Sequence, residues 1–239
     1  MPVVEWNEIE QAPPEGYRSS GIRAGWAMIL VALATVAIGL EVVVVLQGWS
    51  FIDRYGSVSL DEVTAWQRDL NAVSGLYFLT IVAAAIAVVA WLSRVVDNVR
   101  PLTGEVPVVS PRWAIAVWFL PFVNFVMPYR VVADAWRKLA TAESERGTGL
   151  VLAWWLLWIS GAITNRLIGA VAAPDDAAGL RITFLVIIVA AIGQLIAGVL
   201  LIAIIRQIER RSEARAAADH DREAGTPTPA TDVATNPSS

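Results

Sequence analysis

Glu41 and Arg166 are the two charged side chains set inside the long apolar runs of this chain. A carboxylate and a guanidinium held in hydrocarbon are costly unless paired, and such groups mark polar pathways through membranes. Each falls five to seven residues from the same end of its run, roughly 8–9 Å in at ~1.5 Å per residue. They form a candidate intramembrane ion pair. The structural alternative is a packing pair, or two separate side chains reaching back to the surface. A second candidate group sits in Trp113–Arg137, WAIAVWFLPFVNFVMPYRVVADAWR. Here Asn124, Tyr129 and Arg130 could form a pocket for a lipid headgroup or another ligand. Alternatively, Asn124 satisfies backbone freed by the prolines while Arg130 meets lipid phosphate non-specifically.

Other chemistry is poorly served. The chain has no cysteine, which excludes disulfides, thiolate metal sites and a cysteine nucleophile. The single histidine, His220, lies in a polar tail between Asp219 and Asp221 and reads as incidental to metal binding. Neither a catalytic constellation nor a cofactor or metal motif is recognisable, so a non-enzymatic role is expected. A basic groove with interleaved aromatics is missing too, so nucleic acid is not an expected partner.

The elements that must position these residues are membrane spans. Of 239 residues, 56% are hydrophobic and only 17% charged, against about 25% charged in soluble domains. Spans are expected at about 24–46, 71–92, 150–172 and 182–205, within a membrane domain covering 24–211. Residues 1–23 are acidic and carry Pro13-Pro14, and residues 212–239 end in a low-complexity tail, so both ends read as disordered. Ser59-x-x-Glu62 is a capping box that opens a helix ahead of the second span, and Pro101 and Gly104 then announce a loop. Pro174-Asp175-Asp176 makes a hairpin of the last two spans. Gly161, Asn165 and Gly169, and Gly193 with Ala197, repeat small or polar residues at the spacing of helix–helix contacts.

Residues 111–140 fit none of these spans. Ser110-Pro111 is a good helix entry, but Pro121 would free the carbonyl of Val117, and Pro128 that of Asn124 if a helix ran through it. Beyond Pro128, Val131, Val132, Ala135, Trp136 and Leu139 form an apolar face opposite Arg130, Asp134, Arg137 and Lys138, the pattern of a helix lying in the interface plane. Charge counting decides between crossing and returning. If the segment does not cross, 14 basic residues share one side and 3 the other; if it crosses, the division is 11 against 6. Basic residues favour the cytoplasm, so the expectation is a re-entrant or interfacial segment between spans 2 and 3, with both termini cytoplasmic. Trp26, Trp91, Trp113 and Trp154-Trp155 would belt the inner surface and Trp49 the outer one. Arg206, Arg210, Arg211 and Arg215 would touch anionic lipid.

Trp113, Trp118, Pro121, Asn124, Pro128, Tyr129 and Trp136-Arg137 are spaced in a way that resembles the membrane family called domain of unknown function 4328. Trp91, Arg94 and Asn98 upstream, and Trp154, Trp155 and Trp158 downstream, extend the resemblance over roughly residues 22–210. It implies a four-span bacterial, mostly actinobacterial, plasma-membrane protein and no catalytic residues. The expected fold is thus all-α, an integral membrane four-helix bundle. The expected role is non-enzymatic organisation or regulation of membrane partners or lipid. The alternative is a small-solute or ion transporter or channel acting as an oligomer. Expected partners are the lipid bilayer and a membrane protein or second copy of the chain.

Overall fold

The computed structural model describes residues 16–54, 57–120, 122–170 and 177–225. Its helices are α1 (Gly21–Asp53), α2 (Leu60–Thr103), α3 (Pro111–Ala116), α4 (Met127–Lys138), α5 (Gly149–Ala170) and α6 (Ala177–Gly225). Short 3-10 turns occupy Val123–Phe125 and Glu143–Arg146. No strand occurs among the described residues. α1, α2, α5 and α6 are each long and apolar enough to cross a membrane. The chain is an all-α membrane helical bundle.

Local chemistry sets the helix ends. Ser59 and Glu62 close the expected capping box, the serine side chain accepting from Glu62 N–H and the glutamate from Ser59 N–H at 2.9 Å. At the other end of α2, Pro101 does not stop the helix. The turn comes at Gly104, whose φ of 71° suits glycine and whose N–H returns to Arg100 O. Ser110 caps α3 through Trp113 N–H, with proline at its first position. α2 and α6 contain 44 and 49 residues, or about 66 and 73 Å, twice a ~30 Å hydrocarbon core. Each must stand well beyond it.

α1 packs between α2 and α6, and α6 packs between α1 and α5, while α2 and α5 scarcely touch. The bundle is therefore an open row. α3 packs on α2 and α4 touches both α2 and α5, so the returning segment fills part of the gap at the row's two ends. Half of the buried stripe of α1 is small (Ala24, Ala27, Ala34, Ala37, Gly48), whereas Leu33, Leu40 and Leu46 face outward. That inside-out pattern is how helices approach closely when lipid is as apolar as the core. The small-residue repeat is partly used: Gly161 accommodates the Gln194 side chain, Gly193 and Ala197 sit at interfaces, and Asn165 is exposed. Gly198, which the repeat does not single out, lies tight against α1, where a Cβ would overlap Thr35 Oγ1.

The structure departs from three expectations. Residues 16–20 are not loose: Ser20 is fully buried and begins the packed structure. The tail expected to be disordered from 212 continues α6 to Gly225. Trp91, Trp154 and Trp155 are buried inside the bundle and form no surface belt, although Trp26 and Trp113 are more than half exposed. The 174–176 hairpin turn lies outside the described residues.

Gly198→Ala should destabilise the bundle by about 1–3 kcal/mol, the usual cost of overpacking. Thr35→Ala should restore most of it. Thermal unfolding of the four members of this double-mutant cycle in detergent checks the contact. Additive effects would show that Gly198 and Thr35 do not meet.

Candidate functional site

The segment between α2 and α5 leaves the bundle end and comes back to it. Asp134 on α4 accepts from Val108 N–H at 2.9 Å, and Lys138 both pairs with Asp134 at 3.0 Å and donates to Val106 O. These bonds tie the start of the segment to its end. Helical periodicity alone places Asp134 on a solvated face. It is instead 8% exposed, and the apolar face of α4 covers protein: Val131, Val132, Ala135 and Leu139 are all buried.

α6 then fastens the end of α4. Arg211 Nη1 donates to Trp136 O at 2.8 Å and Nη2 to Glu145 O at 3.1 Å, with the guanidinium 4.2 Å from the Trp136 ring centre. Arg215 donates to Leu139 O and Ala140 O. Trp136 in turn donates its indole N–H to Gly147 O at 2.9 Å. The Glu145 carboxylate, 3.5 Å from Arg211 Nε, compensates the buried guanidinium charge. Two of the arginines expected to touch lipid thus serve as caps for the carbonyl end of a helix. Arg206 and Arg210 are exposed.

Inside the gap, α3 ends at Ala116, well before Pro121, and Pro121 lies outside the described residues. Pro128 starts α4 near its first position, so it breaks no helix and frees no carbonyl of Asn124. Between them Phe122 adopts φ 64°, ψ −42°, a strained conformation for a residue with a Cβ. Trp118 meets Trp155 and Trp158 edge to face at 6.5 and 6.1 Å, and Trp155 N–H donates to Phe125 O. Among the described residues the Asn124 side chain makes no bond to backbone freed by a proline. Its Oδ1 is buried with no partner.

The structure does not bring Glu41 and Arg166 together. Glu41 accepts from Ser74 Oγ of α2 at 2.7 Å, and Arg166 is exposed on α5, which packs on α6 and not on α1. The helix order separates the two charges. Nor do Asn124, Tyr129 and Arg130 line the apolar cavity that lies between the spans: Tyr129 packs partly buried against the core, and Arg130 is exposed and makes no bond to any described residue.

Two features lie outside the sequence expectations. The first is a buried polar network at the same end. Glu209 of α6 accepts from Ser20 Oγ (2.8 and 3.0 Å) and from Trp91 Nε1 (2.8 Å), while Asn98 exchanges two hydrogen bonds with the backbone of Arg18. Burial, and then Glu209, push the Tyr17 phenol above its ordinary value. The second is an almost wholly apolar cavity of about 100 Å³ within the spans. Thr35 of α1, Ala84 and Ala85 of α2, Trp154 and Trp158 of α5, and Gln194 of α6 line it, and Trp118 closes it on the side of the returning segment. The signal for both lies in the sequence: Glu209 at a span end, and Gln194 and Thr35 as polar residues in apolar runs.

Four apolar helices with a segment that returns between the second and third define a multi-pass membrane protein. The model of the family described as "Domain of unknown function (DUF4328)" matches residues 54–210, and the chain belongs to that family. The match takes in α2 through most of α6, while α1, one of the two inner helices of the row, precedes it. No curated protein and no solved structure matches the chain.

Arg211→Met should cost about 3 kcal/mol, since it leaves two buried carbonyls without partners. Arg211→Lys should rescue little, because one ammonium cannot reproduce the fork. Hydrogen exchange over residues 127–147 checks both. Glu145 supplies a pH test. Bonds from the Thr141 N–H and hydroxyl hold its carboxyl below the ordinary carboxylate value. A depressed carboxyl stabilises the fold above its unfolded pKa and loses that contribution as pH falls through the folded one. Protection of the Thr141 amide should therefore fall on acidification in the wild type and show no such step in Glu145→Gln.

Proposed function

We propose that the chain is a non-enzymatic protein of the bacterial plasma membrane that organises or regulates membrane partners or lipid from its basic, cytoplasmic end. The observation that carries this reading is the fastening of α4 by Arg211 and Arg215. It joins the returning segment to the extension of α6, with the arm at Arg18–Ser20 held on Asn98 and Glu209 beside it. Asp134, Lys138, Glu209, Arg211 and Arg215 there bind backbone or other side chains, as parts of a platform do. Arg112, Arg130, Arg137, Arg206 and Arg210 make no bond among the described residues and are exposed, which suits an anionic lipid surface or an acidic partner. In this reading residues 113–126 dip into the cytoplasmic leaflet, and Ile115, Phe119, Leu120, Phe122, Phe125 and Val126, all exposed, meet acyl chains.

Single cysteines at Gly104 and Glu145 should both label from the cytoplasmic side only; opposite-side labelling would overturn the topology. In-membrane crosslinking from the α4 face should capture a discrete protein or anionic lipid. Ion or small-solute flux through proteoliposomes would instead establish the transporter reading.

A further inference from the structure

The cavity between α1, α2, α5 and α6 has a chemical demand that its lining states. Gln194 donates its amide nitrogen to Trp158 O at 2.9 Å. Because a backbone carbonyl can only accept, this bond fixes which end of the amide faces α5 and turns Oε1 away from it. No described donor reaches that oxygen, and it is not sealed from its surroundings. Thr35 commits its hydroxyl hydrogen to Val31 O at 2.8 Å, so its oxygen too is left as an acceptor. The indole N–H groups of Trp118 and Trp154 are unpartnered as well, but they are fully buried in the wall. The cavity therefore offers acceptors in an apolar surround, at a depth where an unmet carbonyl is costly. A cationic amine would supply a donor only by placing a charge in hydrocarbon.

We propose that this cavity binds the hydroxyl end of an apolar alcohol drawn from the membrane. The hydroxyl donates to Gln194 Oε1 or Thr35 Oγ1, and the hydrocarbon body lies on Trp154 and Trp158. At about 100 Å³ the space is smaller than the ~150 Å³ apolar cavity that accepts benzene, so it takes only the head of a chain. Ala85 lines the cavity yet is exposed on α2. That places the mouth beside it, where α2 and α5 scarcely touch, and the rest of the chain leaves there into lipid. The site is separate from the basic-end platform and stands or falls independently of it.

The test uses the full chain in phosphatidylcholine vesicles and a diazirine-bearing 1-octanol as photolabel. Adducts should concentrate on Thr35, Trp154, Trp158 and Gln194, and 1-octanol should compete while octane does not. Gln194→Met should weaken the competed labelling about tenfold, the loss of one hydrogen bond worth ~1.4 kcal/mol. Ala85→Phe, which plugs the mouth and leaves the amide in place, should abolish it even if the Gln194 variant fails to accumulate. Adducts spread over outward residues such as Leu33 and Ile192, equal competition by octane, or unchanged labelling in Ala85→Phe would each overturn the proposal. Occupation by water alone would appear as no competed labelling, and it too would overturn the proposal.

Discussion

A chain that enters the gap between α2 and α5 and leaves by the same end must finish a helix there, and a helix end leaves carbonyl oxygens without partners. Packed against protein and away from water, each orphan costs on the order of 1–3 kcal/mol. Arg211 and Arg215 supply the missing donors at Trp136, Leu139 and Ala140. Much of the molecule follows from that requirement. α6 has to extend past its span at least to Arg215 to carry both arginines one turn apart. Arg211 has to be desolvated, and the Trp136 ring and Glu145 compensate it. Trp136 must hold its plane, and its bond to Gly147 O does that.

The open row of spans creates the gap that the returning segment enters. Small residues let α1 and α6 approach closely at Thr35 and Gly198, and α5 and α6 at Gly161 and Gln194. Close approach in the middle of the row leaves its outer members, α2 and α5, apart. The segment fills that space at one end with Trp118, set against Trp155 and Trp158. Where Trp118 stops, the cavity begins. The glycines that tighten the row and the space that stays open are thus two sides of one geometry.

The spans, the capping box at Ser59 and the helix entry at Ser110 are legible in the sequence because each depends on residues close along the chain. The family is legible for the same reason, from seven spaced positions around Pro121 and Tyr129. What is not legible needs the order of helices around the bundle. Glu41 and Arg166 sit at matching depths, yet depth says nothing of which helices touch, and Ser74 takes Glu41 instead. Asp134 looks solvated because periodicity places it with Arg130 and Arg137; its partner, Val108 N–H, is 26 residues away. Arg211 and Arg215 read as lipid contacts for a similar reason. An arginine at a span end has the same local signature whether it faces phosphate or a distant carbonyl.

The basic residues at the two ends of the bundle therefore fall into two populations. At the basic end Lys138, Arg94, Arg146, Arg211 and Arg215 are bound to acidic or backbone partners. At the other end Arg54 pairs with Glu62 and Arg181 with Asp53. If structural demand alone had produced the asymmetry, setting the bound residues aside would erase it. It does not. Arg112, Arg130, Arg137, Arg206 and Arg210 are without partners among the described residues at the basic end, against Arg68 at the other. The cations free to meet lipid phosphate are divided as unevenly as the full set. The excess at the basic end is thus carried by residues that no bond among the described residues employs.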